Sequence, residues 1–234
     1  MNIKKIASGI PGFDALIEGG FENHSINLVA GAGGSGKSIF AIQFLLEGLK
    51  KGESVLYITF EEKKKDFYNN FKDLGYDLEK AEKTGKFIFL EYSPEKVRLM
   101  LDEGGGAIES TILKNNTKRL VIDSVSSFSV LFDKEQAKRQ AILALFDMIR
   151  KWDLTTLSTV QYDPSDKRDT GLSYLEFEAD SIILLYYPSS KNGLRQRFLE
   201  VLKMRGTNHS KEVHVFKIDR GGIQIGPKTS VKRV

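Results

Sequence analysis

Short apolar runs bounded by turn residues recur along this chain, separated by longer stretches whose apolar positions return every three or four residues. The short runs cover residues 25–30, 54–59, 87–90, 119–123 and 155–160, and their Val, Ile, Leu and aromatic content reads as buried strand. The helical stretches follow residue 38, where Phe40, Ala41, Phe44 and Leu45 share one face, and then span 66–74, 95–113 and 134–151. Gly104 to Gly106 are expected to break the third of these. Such alternation predicts an α/β fold with a mostly parallel, twisted sheet flanked by helices. After residue 181 the rhythm changes. Strand-like runs at 181–187, 197–203, 213–218 and 222–225 crowd together with SSKNG and DRGG between them, which predicts antiparallel hairpins at the C-terminal end. With no internal repeat, low-complexity segment or long linker, residues 1–234 are expected to form one domain.

Composition narrows the chemistry. Hydrophobic residues make up 41% and charged residues 28% of the 234, enough for a core and too balanced for disorder. Zero cysteines exclude disulfides, zinc-thiolate sites and thiol catalysis, and a reducing, cytoplasmic home is the simplest. A formal charge of +4 permits an anionic partner without demanding one. The opening MNIKKIASGIPGF has no apolar core before Gly9 and Pro11, so neither export nor membrane insertion is expected.

The octet GAGGSGKS (Gly31, Ala32, Gly33, Gly34, Ser35, Gly36, Lys37, Ser38) fits G-x-x-x-x-G-K-[ST] and stands between a predicted strand and a predicted helix. Glycines let successive N–H groups turn inward, and the helix that continues through Ile39 adds its positive end, so the segment is an anion cradle. Lys37 is placed for the β- and γ-phosphates and the Ser38 hydroxyl for Mg²⁺. RLVID, ending at Asp123, reads as a strand whose terminal carboxylate helps hold Mg²⁺, although such an aspartate also caps helices. Glu61 and Glu62, after YITF, are placed to orient and deprotonate a water; they would equally suit an acidic first helical turn.

Several separate stretches resemble the KaiC-like branch of the RecA/RadA ATPases, and the likeness spans nearly the whole chain. They are SGIPGFDALIEGGF at 8–21, the cradle, TFEE at 59–62, VIDSVSS at 121–127 and EVLKMRGTNH at 200–209. The resemblance implies a RecA-like nucleotide-binding core, ATP and Mg²⁺ as cofactors, Glu61 as the favoured base with Glu62 beside it, and Gln161 as a γ-phosphate sensor. It also implies that Lys203, Arg205, Thr207 and His209 reach the nucleotide of a neighbouring subunit. Lys203 and Arg205 alternate as residues sharing one face of a strand do. A site completed in trans requires head-to-tail assembly, for which the resemblance implies a ring, a hexamer.

Slow Mg-dependent ATP hydrolysis is therefore the leading expectation, with ATP and ADP as ligands. One alternative resembles the single-domain RadA paralogues: a single-stranded-DNA-binding accessory of recombination or repair. Its contacts would come from Lys134, Lys138 and Arg139 and from Lys167 and Arg168, against which Asp163, Asp166 and Asp169 weigh. A second alternative is an ATP-dependent signalling switch that engages a protein partner.

Overall fold

The computed structural model describes residues 4–93, 96, 99, 103–130, 132–164, 166, 175–189 and 193–226. The chain opens with β1 (Lys5–Ile6), β2 (Phe21–Glu22) and β3 (Ile26–Gly31), then α1 (Lys37–Lys50) and β4 (Ser54–Thr59). Next come α2 (Lys64–Lys72), α3 (Leu78–Lys83), β5 (Phe87–Glu91), α4 (Gly106–Asn115), β6 (Thr117–Asp123) and α5 (Val125–Ser129). The last elements are α6 (Glu135–Lys151), β7 (Thr155–Gln161), β8 (Ser181–Tyr186), β9 (Arg197–Met204), β10 (His214–Asp219) and β11 (Gly222–Ile225).

Nine strands form one sheet in the order β11-β10-β9-β8-β3-β7-β6-β4-β5. From β8 to β5 the pairing is parallel, and from β8 outward to β11 it is antiparallel. The predicted α/β class and the C-terminal hairpins are both present.

The central strands read as unbroken apolar runs because both faces of the sheet are covered. In β4, Val55 and Tyr57 join a core with Phe40 and Phe44 of α1 and Phe67 and Phe71 of α2, whereas Leu56 and Ile58 join the opposite core. That second core is closed by Ile108 of α4, Phe128 of α5, and Leu145, Phe146 and Ile149 of α6. Each fully buried Phe or Leu contributes about 1.5–3 kcal/mol, so this two-sided packing is the main reason the strand ends are rigid enough to carry a site.

The segment 8–21 forms an outer cap on α1 rather than a layer of its own. Phe13 meets Phe40 edge-on at 5.1 Å between ring centroids, and Phe21 meets Phe44 at 5.8 Å. β1 and β2 clip its two ends together, Ile6 opposite Phe21. Of the predicted helix at 95–113, the part from Gly106 onward lies in α4 and residues 96 and 99 are also helical; residues 94, 95, 97, 98 and 100–102 lie outside the described residues. Among the described residues no helix is long and apolar enough to cross a membrane.

Candidate functional site

The C-terminal ends of the parallel strands of an open α/β sheet are where the following loops leave a crevice, and here β3, β4, β6 and β7 deliver the predicted residues to that end. Residues 31–36 turn from β3 into α1, and Gly36 caps the helix with φ of 109°. A side chain there would be strained, and its Cβ would sit 2.8 Å from Ile218 Cδ1. Ser35 is fully buried and its hydroxyl has no hydrogen-bond partner among the described residues. Beside the loop lies a cleft of about 380 Å³ walled by Lys37, Ser38 and Glu62 on one side and by Phe67, Asn70 and Phe71 of α2 on another.

Lys37 Nζ folds back on its own loop, donating to Gly31 O at 2.9 Å, Ala32 O at 3.1 Å and Gln161 Oε1 at 3.2 Å. Burial lowers its pKa below the usual lysine value, while Asp123 and Glu61 oppose that shift. The cation is thus held next to two carboxylates in a site where charge interactions are little screened.

Asp123 is fixed at both carboxylate oxygens: Tyr57 Oη donates to Oδ2 and Thr159 Oγ1 to Oδ1. The Tyr57 hydroxyl, fully buried, is pushed well above the ordinary phenol range, first by burial, then by Asp123; a hydrogen bond with Ser38 acts the other way. Tyr57 thus stands between Ser38 and the Asp123 carboxylate. A hydroxyl and a carboxylate side by side are an all-oxygen donor pair suited to Mg²⁺, which keeps most of its shell as water and phosphate oxygens. Among the described residues no cluster of three or more His, Cys, Asp or Glu could hold a metal by itself.

Glu61 and Glu62 take different positions. Both amides donate to Thr59 Oγ1 at 3.2 Å, which sets the turn after β4. Glu61 Oε1 accepts from Ser124 Oγ at 2.7 Å and from Ser127 Oγ, on the segment that follows Asp123. Glu62 instead lines the cleft. Its carboxyl pKa is raised, chiefly by burial and then by Asp123, Glu61 and Asp66, with an Asn70 hydrogen bond pulling back. Gln161 ends β7, and its backbone N–H donates to Ser126 Oγ at 2.7 Å. Lys37, Ser38, Glu61, Glu62, Asp123 and Gln161 thus meet at one place, as the sequence implies.

Lys203, Arg205, Thr207 and His209 do not join them. β9 runs antiparallel to β8, so Arg197 lies at the cleft end while Lys203 pairs with Ile182 near the start of β8. Arg197 donates to Gly34 O at 3.3 and 3.1 Å, and six residues at about 3.3 Å each place Lys203 about 20 Å away along the strand. Lys203 Nζ donates to the carbonyls of Glu176 and Ala179, and Arg205 to Phe177 O at 2.7 Å and Asp180 Oδ1 at 3.3 Å. The strand ends at Met204, so Arg205 follows it in a turn rather than continuing the alternation. Both cations nonetheless converge on residues 176–180. Thr207 bonds Lys5 and Glu22, and His209 lies against Ser210 O and Lys211.

Sequence reasoning missed Tyr57, Thr159 and Arg197, whose partners come from strands or loops remote in sequence. Arg197 also stacks on Tyr187, 4.1 Å from the ring centroid, closing the cleft from the β9 side. Of the second group of basic residues, Lys138 pairs with Glu135, while Lys167 and Arg168, with Asp169, lie outside the described residues.

Comparison with known proteins gives the same assignment. A family model described as "ATPase: KaiC" matches residues 6–230. The circadian clock protein KaiC3 of Synechocystis is 34% identical over 98% of this chain, and the KaiC oscillator protein of Acaryochloris marina 32% over 97%. The chain spans about half the length of these relatives, 47% and 45%. A UPF0273 protein of Thermotoga maritima is 32% identical over 96% of this chain and 97% of its own. The crystal structure of a KaiC-like protein from Pyrococcus horikoshii superposes with a TM-score of 0.84 at 34% identity, covering 96% of this chain and all of that one. The strand-to-helix phosphate loop, the carboxylates grouped around its lysine and a match over almost every residue lead to one conclusion: the chain belongs to the KaiC family of ATPases and carries its nucleotide-binding P-loop fold.

Proposed function

We propose that this chain binds ATP with Mg²⁺ in the cleft beside Lys37 and hydrolyses it slowly, each site being completed by Lys203 and Arg205 of a neighbouring copy. The observation that carries the reading is the split arrangement: Lys37, Asp123 and the two glutamates gather at one end of the sheet, while Lys203 and Arg205 lie at the other end of β9. A chain with both halves of a phosphate site at opposite ends needs a second copy to unite them, and a head-to-tail contact of that kind either closes into a ring, the form proposed here, or propagates as a filament.

The amides of residues 33–38 receive the phosphates, and Lys37 exchanges its carbonyl partners for β- and γ-phosphate oxygens. Phe67, Phe71 and Leu74 give the same cleft an apolar wall where a nucleobase can pack. Ser38 and Asp123 would hold Mg²⁺, which when bound neutralises charge on the β- and γ-phosphates. Glu61, oriented by Ser124 and Ser127, takes the proton of the attacking water, and Gln161 senses the γ-phosphate beside Lys37. The partner copy's arginine stabilises the charge that develops on the transferred phosphoryl group.

ATP hydrolysis by the wild type, Lys37→Ala and Glu61→Gln tests the chemistry. Glu61→Gln should lower kcat by about 10²–10⁴-fold with nucleotide still bound. Equal turnover in all three proteins would end this reading. Mass measurement in solution with and without ATP and Mg²⁺ tests the assembly, and a monomer under both conditions would remove the shared site. No observation among the described residues favours the single-stranded-DNA or signalling alternatives over this one.

A further inference from the structure

The cations beyond the far end of β9 converge on a carboxylate that the proposed chemistry leaves unused. Asp180 stands immediately before β8, and all four of its polar atoms are engaged. Its backbone N–H donates to Ile26 O at 2.8 Å, and its carbonyl accepts from the Arg205 N–H at 2.9 Å. The carboxylate repeats the pattern: Oδ2 accepts from the Ile26 N–H at 2.8 Å, and Oδ1 from Arg205 Nη1 at 3.3 Å. Oδ2 also lies 3.5 Å from Nη1 of Arg150, in the last turn of α6. Asp180 therefore joins the first residue of β3, the strand that leads into the P-loop, to the arginine that follows β9.

The arrangement anchors Arg205 without consuming it. A guanidinium has five N–H donors in a rigid planar fork and no acceptor. Two of those of Arg205 go to Asp180 Oδ1 and to Phe177 O, at 3.3 and 2.7 Å, which leaves three for an oxygen from outside. Exposure divides the same way, the Asp180 side chain being 22% exposed and that of Arg205 50%. Closing the junction of β3 with β8 needs Oδ2 alone, which bonds Ile26, whereas Oδ1 has Arg205 as its partner. The charge matters as well as the geometry. Burial and then Arg205 lower the Lys203 pKa, and Asp180, ahead of Glu176 and Glu178, opposes that shift. Two cations this close repel, and an anion beside both lets them share one place.

We propose that Asp180 is a positioning residue for ATP hydrolysis: through Oδ1 it fixes the angle at which the Arg205 guanidinium meets the γ-phosphate of a neighbouring copy. The inference rests on the shared site proposed above, because it concerns the aim of the arginine and takes its target as given. Misplacing a catalytic group by about 1 Å costs about 100-fold in rate. Asp180→Asn keeps the side-chain volume but offers one acceptor oxygen where two are used, so Ile26 and Arg205 are no longer both served. Its kcat should fall by about 10–100-fold, less than in Arg205→Ala because the cation remains. KM for ATP should stay within about threefold of the wild type, since the P-loop is untouched.

The comparison that separates positioning from simple support is Asp180→Asn added to Arg205→Ala. With no guanidinium to aim, the added change should lower kcat by less than about twofold. Asp180→Glu keeps the charge and both oxygens one methylene further out, and its kcat should fall between those of the wild type and Asp180→Asn. It carries the same comparison if the Asn variant does not fold. Mixing assigns the residue to the donating subunit: Asp180→Asn should regain activity with Lys37→Ala, which supplies an intact Asp180 and Arg205, and none beyond its own with Arg205→Ala. Wild-type turnover in Asp180→Asn and Asp180→Glu, with Arg205→Ala impaired, would overturn the proposal and leave the shared site standing. So would an equal loss with and without Arg205, which would make Asp180 a structural residue only. If Arg205→Ala itself turned over as fast as the wild type, the shared site would fall and this inference with it.

Discussion

The two ends of the central sheet both hold cations on backbone carbonyls, yet among the described residues only the Lys37 end sets its cation beside a glycine-rich turn. At the C-terminal end, Lys37 rests on Gly31 O and Ala32 O beside a glycine-rich turn, an open cleft and the carboxylates Glu61, Glu62 and Asp123. At the other end, Lys203 and Arg205 rest on the carbonyls of residues 176, 177 and 179, with no glycine-rich turn beside them among the described residues. The lesson is that the same side-chain chemistry acquires a function from what faces it. The first set faces its own cleft; the second lies away from that cleft and, on the function proposed above, would face the cleft of another copy.

The sharpest way to break this comparison is to remove one cation from each end. Arg205→Ala should lower kcat by about 10³-fold or more, the size typical of an arginine acting on a transferred phosphoryl group. Lys37→Ala should abolish turnover through lost nucleotide binding. Mixing the two inactive proteins should restore part of the activity, because an Arg205→Ala subunit keeps a sound P-loop and a Lys37→Ala subunit keeps a sound arginine. If the mixture stays as inactive as its components, the two ends do not meet across an interface.

A smaller effect separates the ends by stability instead of turnover. Gly48→Ala introduces a Cβ 2.7 Å from Arg119 Nε and 2.8 Å from Cδ, and this arginine, held by Glu53, Ala7 and Phe44, has nowhere to move. Overpacking of this kind costs about 1–3 kcal/mol, against which the better helix propensity of Ala returns about 1 kcal/mol. A net loss of up to about 2 kcal/mol is expected in urea unfolding. ATP affinity should be unchanged, since α1 begins 11 residues earlier, at Lys37. A variant more stable than the wild type would show that the arginine is not locked.

Much of the cleft was legible because its signals are local. A P-loop is eight consecutive residues, Asp123 and Gln161 end apolar runs, and β4 spans the residues its composition predicts. What escaped depends on strand order. Tyr57 and Thr159 reach Asp123 only because β6 lies between β4 and β7, a neighbourhood no periodicity records. Arg119 looks like one charge opening an apolar strand, and its burial becomes visible only when Gly48 and Ala7 arrive from elsewhere. The helices α3 and α5, of 6 and 5 residues, are too short to show a 3.6-residue repeat. The distant position of Lys203 and Arg205 was implied by family resemblance, and their spacing alone says nothing about which end of the sheet they occupy.

Within the cleft itself, Tyr57→Phe should cost about 1 kcal/mol, the net worth of one buried hydrogen bond, because it leaves Asp123 Oδ2 without its donor. Bound Mg²⁺ would supply a new partner for Asp123, so the deficit should shrink when unfolding is followed with ATP and Mg²⁺ present. A deficit that stays constant would mean that the tyrosine, not the ion, is the permanent partner of this carboxylate.

The smallest effect concerns Glu62. Burial, with Asp123, Glu61 and Asp66, raises its carboxyl pKa above the ordinary 4.5, so near that pH the folded chain binds a proton the unfolded chain has released. Ionising it in the folded protein therefore costs stability, a cost that is absent below pH 4.5, grows as the pH rises toward the folded pKa and remains above it. Glu62→Gln removes that cost, and because the group is partly exposed, solvent keeps the gain small. Calorimetry should give a Tm higher than the wild type by about 1–2 °C at pH 8, falling to no difference near pH 4. A gain confined to low pH would reverse the sign of the interaction and place Glu62 beside a cation rather than among carboxylates. Its activity is the complementary reading: if Glu61 takes the proton and Glu62 only shapes the field around Lys37, Glu62→Gln should lower kcat far less than Glu61→Gln does.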